Sequence, residues 1–392
     1  MCGGNFMKIL FTGDVNCSRL PQALTPEKAE YAISEVKSFF DKADFRVVNM
    51  EEPMGDAEKY EAISKSGPNL IAPAENICLY EALNTDIAVM ANNHIGDYGQ
   101  EATKATLELA EKHGIKHIGA GKNIEEAYKA EIVEKDGIKV SIIATCENEF
   151  GVATENTYGS AGFNALRLCT RVKEEKEKAD YVIVIFHGGD EKNPLPSLGC
   201  RDRYRLITEF GADAVIAMHT HCPQGYEYYK GKPIVYSMGN FFFQAGNEDL
   251  DINDAWFYGY MTMASIDKDG IKIEVIPYRF DNPITKITVF EGEDKQKMMD
   301  YLQEISDYIQ DDKIMKEHYM GWIIDKFQWK IMGDPKEAPH QRKLNAYKNT
   351  LTCEAHNELT TEGYRLYMAH EVELANSLHE AACEREKMPV KW

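Results

Sequence analysis

The stretch ILFTGD, residues 9–14, is a short apolar run that ends in a glycine and a carboxylate. Four later stretches repeat the arrangement, and each is an apolar run followed at once by polar side chains: FRVVNME (45–51), IAVMANNH (87–94), YVIVIFHGGDE (181–191) and AVIAMHTH (214–221). Continuous Val- and Ile-rich runs are typical of buried parallel strands. Ligands of open α/β sheets bind beyond the carboxyl ends of the strands. The five stretches therefore predict that carboxylates, an amide and imidazoles converge at one rim.

This mixture of oxygen and nitrogen donors suits a borderline divalent metal ion. Each stretch alone has a plainer explanation: Gly-Asp is common in turns, Glu51 could be a solvated loop carboxylate, and Asn92-Asn93-His94 could cap the next helix. His219-Thr220-His221 would direct both imidazoles to one side if the segment is extended. The recurrence of all five after apolar strands favours a shared site.

Between these strands the chain alternates with helical patterns, for example at residues 26–44 and 98–114. KPIVYSMGNFFF (232–243) is predicted to be one strand, and residues 258–280 a hairpin that turns at Lys268-Asp269-Gly270. Repeated β-α units that end in consecutive strands predict a layered α/β sandwich. Beyond about Ile287 the β pattern fades, and we predict a core domain at 7–285 and a helical C-terminal extension at 286–392, with Trp322 and Trp329 as packing anchors.

The composition of the chain argues against several classes of protein. The net charge of −20 argues against broad binding of nucleic acid or anionic membranes, which needs a basic face. There is no run of 18 apolar residues, so no transmembrane segment is expected. The N-terminal segment lacks the pattern of a signal peptide, which predicts a cytoplasmic location. The nine cysteines are scattered without a Cys-x-x-Cys pair, which favours reduced thiols over a disulfide framework.

The motifs resemble the CapA-type family of capsule and poly-γ-glutamate synthesis, which is similar in fold to the calcineurin-like metallophosphoesterases. The stretches that carry the resemblance lie between residues 7 and 243: FTGDV, VVNMEEP, ANNHIGDYG, GAGKNIEEA, FHGGDE and GADAVIAMHTHCPQGYEYYKGKPIVYSMGNFFF. The fold that the resemblance implies is a four-layer α/β/β/α metallophosphatase-type sandwich, here followed by the helical C-terminal extension. The C-terminal part of the chain is covered weakly or not at all.

The resemblance also implies roles for individual residues and one or two divalent cations, Mn²⁺, Zn²⁺ or Fe²⁺. The implied metal ligands are Asp14, Glu51, Asn93, His187, His219 and His221. His94 takes the position of the general acid. Candidate substrate-binding residues are Arg19, Asn92, Asp190 and Glu191, and a guanidinium such as that of Arg19 can grip phosphate or carboxylate through two hydrogen bonds.

Three positions depart from the phosphoesterase pattern. Asn16 stands where that pattern has the histidine of Asp-x-His, which predicts a weaker metal position and leaves open whether one or two cations bind. Glu51 appears where an aspartate is usual. Gly188 replaces the tryptophan of the family's His-Trp-Gly-Glu-Glu segment, which predicts a more open pocket or a different substrate.

The sequence favours a metal-dependent hydrolase in capsule, poly-γ-glutamate or other cell-envelope polymer metabolism, acting on a phosphoester or a γ-glutamyl-type amide of an anionic substrate. Two alternatives stay open. The first is a non-catalytic metal-binding accessory subunit of a polymer-synthesis complex, with the C-terminal helices contacting a protein partner at the envelope. The second is a purely structural metal site, although such sites are usually rich in cysteine.

Overall fold

The computed structural model describes residues 6–247, 249–327 and 341–390. Its strands in chain order are β1 (Met7–Asn16), β2 (Phe45–Met50), β3 (Ile87–Val89), β4 (Lys116–Ile118), β5 (Ala120–Gly121), β6 (Glu131–Lys135), β7 (Ile138–Cys146), β8 (Gly159–Ser160), β9 (Tyr181–His187), β10 (Ala214–Met218), β11 (Tyr226–Tyr229), β12 (Lys232–Val235), β13 (Asn240–Phe243), β14 (Tyr258–Asp267), β15 (Gly270–Phe280) and β16 (Ile287–Val289).

The helices alternate with these strands and then follow them. In chain order they are α1 (Pro26–Ala32), α2 (Lys37–Asp41), α3 (Ile77–Ala82), α4 (Gly99–Lys112), α5 (Ile124–Ala127), α6 (Ala165–Lys176), α7 (Leu198–Glu209), α8 (Gly292–Ile309), α9 (Asp312–Phe327), α10 (Gln341–Thr352), α11 (Glu354–Met368) and α12 (Val372–Arg385). Among the residues that the structure describes, every helix is too short or too polar to span a bilayer.

Two mixed sheets form the middle layers of the fold. The larger has the order β16-β15-β14-β1-β2-β3-β4, with β13 beside the end of β1, and the smaller has the order β11-β12-β10-β9-β7-β6. The sheets contact each other through β1 with β10 and through β12 with β15, while α4 packs on the larger sheet and α6 and α7 pack on the smaller. The predicted α/β sandwich with C-terminal helices is therefore confirmed.

The centre of each sheet is parallel, and this decides where the site lies. β1, β2, β3 and β4 run parallel in the larger sheet, as do β7, β9, β10 and β12 in the smaller. Their apolar side chains are buried; Val182 to Phe186 of β9, for example, are all 0% exposed. The carboxyl ends of both sets of strands open at the same rim of the sandwich.

The segment 232–243 is not one strand, and that prediction was wrong. β12 belongs to the smaller sheet and β13 to the larger. The chain crosses between the sheets at Gly239, whose φ of 71° favours glycine. A side chain at Gly13 would meet the carbonyl oxygen of Gly239 at 1.8 Å, and the backbone N–H of Asp14 donates to that oxygen at 3.1 Å. The crossing thus fixes the backbone that carries Asp14.

The helix predicted at residues 26–44 is also interrupted. α1 begins after Thr25, whose side chain accepts a hydrogen bond from the backbone N–H of Lys28. Ile33 and Val36 lie in the turn between α1 and α2 and are fully buried. Burial of these two side chains in the core stabilises the turn in place of a continuous helix.

The helices after β16 pack in two ways. Residues of α8, among them Met298, Leu302 and Ile305, join the main core. Helices α9, α11 and α12 form a smaller core of their own, which includes the buried Trp322. Trp329 lies outside the described residues. β16 pairs with β15 as part of the larger sheet, and the division of the chain at residue 285 stays a prediction.

Candidate metal centre

The ends of parallel strands bring the six predicted ligands together. Asp14 lies near the end of β1, Glu51 follows β2 directly, and Asn93 lies four residues after β3. His187 is the last residue of β9, and His219 is the first residue after β10. All of these side chains are buried, with exposed fractions from 0% for Asp14 and Glu51 to 7% for Asn93.

One group of donors consists of Glu51, His187 and His219, whose ligand atoms lie within 4.8 Å of one another. His187 Nε2 lies 3.0 Å from His219 Nδ1 and 3.1 Å from Asn93 Oδ1. It is also 3.8 Å from Glu51 Oε1. Two imidazoles, a carboxylate and an amide oxygen thus surround one point.

A second group consists of Asp14, Glu51 and His221, again with ligand atoms within 4.8 Å of one another. His221 Nδ1 lies 3.6 Å from Asp14 Oδ2, and His221 Nε2 lies 3.9 Å from Glu51 Oε1. Asn240 Oδ1 lies 2.8 Å from His221 Nδ1 and so orients the ring. Glu51 belongs to both groups, which makes it a candidate carboxylate bridge between two positions.

The backbone of the His-Thr-His segment differs from the extended form expected from the sequence. His219 has a φ of 109° and His221 a φ of 54°, both in the range that side chains rarely adopt. The two rings face different partners, because His219 meets His187 and His221 meets Asp14. Strain of this kind persists where the surroundings impose it and is common at functional sites.

The carboxylates of the centre are unfavourably placed without a cation. Burial raises the pKa of Asp14 to about 6. Burial and the neighbouring Asp14 raise the pKa of Glu51 well above its usual value. Burial, together with the other imidazoles, lowers the pKa of His187 well below its usual value, so its ring is neutral and keeps a lone pair for a metal.

The donor set fits a divalent cation on two further observations. Glu51 Oε1 and His187 Nδ1 are buried atoms without a hydrogen-bond partner, and buried polar groups are normally paired. Bonds of about 2.0–2.2 Å to a zinc-like ion place neighbouring donors about 3–3.5 Å apart. The separations of 3.0 and 3.1 Å from His187 Nε2 to His219 and Asn93 are of this size, and the separation of 3.8 Å to Glu51 is slightly longer. The assignment of the six residues as ligands stays a prediction.

His94 lies beside the centre and is held by two side chains that the sequence reasoning did not single out. Its Nδ1 lies 2.7 Å from Asp97 Oδ2 and 3.2 Å from Lys65 Nζ. Lys65 also pairs with Asp97, which is fully buried. Burial lowers the pKa of His94, and Asp97 acts in the opposite direction. The spacing of His94 and Asp97 in ANNHIGDYG was the available sign of this pair.

A cavity of about 410 Å³ opens next to His94. Its walls combine residues of the core with residues of the C-terminal helices: Lys65, Asn93, His94, Glu149, Phe150, Asp190, Glu191, Lys192, Trp322, Asn349, His356 and Leu359. Two of the predicted substrate-binding residues, Asp190 and Glu191, are therefore in its wall. The contributions of α9, α10 and α11 were not predictable from the strand-end motifs.

The other two predicted substrate-binding residues, Arg19 and Asn92, are not in the cavity wall. Arg19 is half-buried, and burial lowers its pKa while Glu191 and Glu51 raise it. The amide of Asn92 donates to the carbonyl of Met50 at 2.8 Å and accepts from the backbone N–H groups of His94 and Ile95. These bonds form a local turn at Asn92, but they do not cap α4, which begins after Tyr98 without a side-chain cap. A role of Asn92 in substrate binding stays a prediction.

The departures from the phosphoesterase pattern have structural counterparts. Asn16 donates to the carbonyl of Glu51 at 3.0 Å and accepts from Ser18, so its side chain is engaged in the loop and not in either donor group. A side chain at Gly188 would meet Glu147 at 2.5 Å. Glu147 in turn pairs with Arg203 at 3.1 Å. The space beside Gly188 is thus filled.

The fold and the cluster define a layered α/β protein with a candidate metal centre at the carboxyl ends of its strands. The chain belongs to the family described as bacterial capsule synthesis protein PGA_cap, which matches residues 8–245. The resemblance noted in the sequence is therefore confirmed. The candidate ligands all lie inside the matched part, whereas α8 to α12 lie outside it.

Individual relatives agree with this membership. The PGA biosynthesis protein CapA of Bacillus subtilis is 28% identical over 240 residues, which cover 60% of this chain and 63% of that protein. The capsule biosynthesis protein CapA of Bacillus anthracis is 26% identical over 249 residues, covering 61% of this chain and 60% of that protein. A probable polyglutamine synthesis accessory protein of Mycobacterium tuberculosis is 25% identical over 179 residues, which cover 42% of this chain and 47% of that protein. The chain thus spans less than two thirds of the relatives' length.

Solved structures of phosphatases are more distant. A novel phosphatase of Mycoplasma pneumoniae matches with a TM-score of 0.44 and 14% identity, covering 71% of this chain and 96% of that one. A 5′-nucleotidase precursor of Thermus thermophilus matches with a TM-score of 0.41 and 12% identity, covering 83% of this chain and 67% of that one. At these values the similarity carries no inference about activity.

Proposed function

We propose that this protein is a metal-dependent hydrolase that acts on an anionic substrate in capsule or cell-envelope polymer metabolism. The observation that carries the proposal is the pair of donor groups that share Glu51, with His94 beside them. Asp14 and His221 would hold one cation with Glu51, while Asn93, His187 and His219 would hold a second. Bound divalent cations would stabilise negative charge that develops on oxygen and would make water a better nucleophile.

The side chains next to the centre support proton transfer. The carboxylate of Asp97 lies 2.7 Å from His94 Nδ1 and fixes the orientation of the ring. His94 Nε2 is then the ring atom that exchanges a proton with substrate, and His94 would protonate the leaving group as general acid. Lys65 balances the charge of Asp97, with which it forms a buried ion pair.

The cavity supports a substrate of moderate size with negative charge next to the cations. A volume of about 410 Å³ is that of a small-molecule site. Phe150 and Trp322 offer aromatic surface. The walls hold Lys65 and Lys192 but also Glu149, Asp190 and Glu191, so the bound cations would supply the attraction for a negative group. Both a phosphoester and a γ-glutamyl-type amide develop charge on oxygen during hydrolysis, so the centre could act on either bond.

The test combines metal analysis with hydrolysis. Purified protein is analysed for Mn, Fe and Zn, and is then assayed with aryl phosphomonoester, aryl phosphodiester and γ-glutamyl anilide substrates. The proposal expects at least one cation per chain and hydrolysis of one substrate that His94→Ala abolishes. The matched control is His113→Ala, because His113 follows the far end of α4 and pairs with Glu81. Equal rates for wild type and His94→Ala on every substrate would refute catalysis through His94.

The alternative function is that of a metal-binding accessory subunit without catalysis. It is favoured by Asn16, because its engagement in the loop keeps its side chain from joining Asp14, Glu51 and His221 as a further donor. The mycobacterial relative is also described as an accessory protein. If a polymer-synthesis partner is captured equally well by wild type and His94→Ala, and hydrolysis is absent from both, this alternative replaces the first.

A further inference from the structure

A second group of potential metal ligands lies outside the six-residue centre. It comprises Glu149, Cys353 and His356, whose ligand atoms lie within 4.8 Å of one another. Glu149 lies in the loop after β7, whereas Cys353 and His356 lie at the start of α11. The group therefore joins the core to the C-terminal helices. Glu149 lies inside the residues that the family match covers, whereas Cys353 and His356 lie beyond them.

Asn349, in the last turn of α10, gives an independent indication. It is 5% exposed, and its Oδ1 has no hydrogen-bond partner. Its Nδ2 lies 3.1 Å from Glu149 Oε1 and 2.9 Å from His356 Nδ1. Buried polar groups are normally paired, so an unpaired carbonyl oxygen here is unfavourable. Rotating the amide by half a turn exchanges its oxygen and nitrogen, and the oxygen then joins the carboxylate and imidazole as a donor.

The third member of the group, Cys353, lies beside a buried carboxylate. Cys353 is 1% exposed, and its Sγ lies 3.3 Å from Glu147 Oε2. Glu147 is neutralised by Arg203, which also pairs with Glu358 of α11. His356 Nδ1 lies 3.5 Å from Glu149 Oε1. Four side chains with sulfur, nitrogen and oxygen donors therefore lie close together, with Cys353 and Asn349 buried and Glu149 and His356 partly buried.

We propose that Glu149, Asn349, Cys353 and His356 form an additional site for a borderline divalent cation, best suited to Zn²⁺. Thiolate and imidazole together are the ligands that Zn²⁺ prefers in proteins. Cys353 binds as a thiolate and releases its proton when the cation enters. Asn349 and His356 also line the cavity beside His94, so the cation secures the wall that α10 and α11 contribute. This inference does not depend on the proposed hydrolase activity.

Cobalt substitution tests the site without any assay of activity. Co²⁺ bound to a thiolate gives a sulfur-to-metal charge-transfer band in the near ultraviolet, and the six-residue centre contains no sulfur ligand. Metal-free protein comprising residues 1–392 is titrated with Co²⁺ alone, and the band is compared among wild type, Cys353→Ser, His356→Ala, and two controls. Cys169→Ser is the matched cysteine control, because Cys169 is also buried but lies on α6. His221→Ala removes a ligand of the main centre only.

The site predicts a band in wild type that saturates at one thiolate-bound Co²⁺ per chain. Cys353→Ser abolishes it, His356→Ala weakens Co²⁺ binding at least tenfold, and both controls retain it. Absence of the band in wild type, or a band that Cys353→Ser leaves unchanged, would overturn the proposal. Circular dichroism of each variant shows whether it is folded; if Cys353→Ser is unfolded, His356→Ala with an undiminished band is the refuting result.

Discussion

Replacing Glu51 with glutamine is expected to stabilise the metal-free protein and, at the same time, to reduce its stabilisation by metal. The side chain is 0% exposed, its Oε1 has no hydrogen-bond partner, and it faces the carboxylate of Asp14. A buried, unsatisfied polar group costs about 1–3 kcal/mol, and more when it is charged. Glutamine has nearly the same shape and removes the charge, so Glu51→Gln should recover about 1–3 kcal/mol in chelator.

The same substitution removes the only carboxylate that both donor groups share. A cation at one hundred times its dissociation constant stabilises a protein by about 2.7 kcal/mol per site. Wild type should gain at least this amount when Mn²⁺ or Zn²⁺ is added, and Glu51→Gln should gain much less. The order of the two melting temperatures is therefore expected to reverse between chelator and metal.

The pH dependence gives a further check. Burial and Asp14 raise the pKa of Glu51 above its value in the unfolded chain. A raised carboxyl pKa means that the folded state binds more protons, so the stability of metal-free wild type falls as pH rises through the folded pKa. The advantage of Glu51→Gln in chelator should accordingly grow with pH. Thermal or urea unfolding in chelator at several pH values measures it.

Glu52 provides the matched control. It is the adjacent residue, it is also 0% exposed, and its carboxylate accepts from the backbone N–H groups of Cys17 and Ser18. Glu52→Gln should leave the stabilisation by metal unchanged, because Glu52 is in neither donor group. The reasoning is refuted if Glu51→Gln destabilises the metal-free protein, or if metal stabilises Glu51→Gln as strongly as wild type.

Three further substitutions have defined outcomes. His94→Ala should lower kcat by a factor of about 10²–10⁴ with an unchanged metal-to-chain ratio. Steady-state kinetics and elemental analysis of the same samples measure both quantities. A lower metal-to-chain ratio would indicate that His94 is itself a metal ligand. Asn16→Ala loses the hydrogen bond to the Glu51 carbonyl, so the free energy of unfolding in urea should fall by about 1–3 kcal/mol, with an unchanged metal-to-chain ratio. A lower metal-to-chain ratio would contradict the conclusion that Asn16 is not a metal ligand. Burial and Arg385 lower the pKa of His318 from 6.5 to about 3, so the unfolded chain binds more protons and stability falls as pH drops below 6.5. Protonation of His318 should lower the free energy of unfolding by about 2 kcal/mol between pH 8 and pH 5. His318→Gln should lose about 2 kcal/mol less than wild type over this range. An equal loss of free energy of unfolding in the two proteins would exclude the effect.

The strand-end motifs were enough to predict the rim at which Asp14, Glu51, His187 and His219 meet. The reason is that a buried parallel strand has an apolar pattern in sequence, and the polar residue that follows it must emerge at the carboxyl edge. The side on which each histidine of His219-Thr220-His221 points was not predictable. It depends on left-handed backbone conformations that the surrounding loops impose.

Other parts of the site depend on contacts between distant segments. Lys65 reaches Asp97 from a loop 32 residues earlier, and Asn349 reaches Glu149 from 200 residues later. Nothing in the local sequence of either pair specifies its partner. The split of residues 232–243 between two sheets likewise results from the close approach of Gly239 to Gly13, which is a tertiary contact that strand propensity does not encode.

The central claim is that Glu51 lies between two cation positions at the carboxyl ends of the strands. Anomalous diffraction measured at the manganese edge from crystals of the 392-residue chain grown with Mn²⁺ tests it most directly. We expect density within coordination distance of Glu51, His187 and His219, and a second peak, of equal or lower height, beside Asp14 and His221. Fully saturated crystals in which no peak contacts Glu51 would contradict the account.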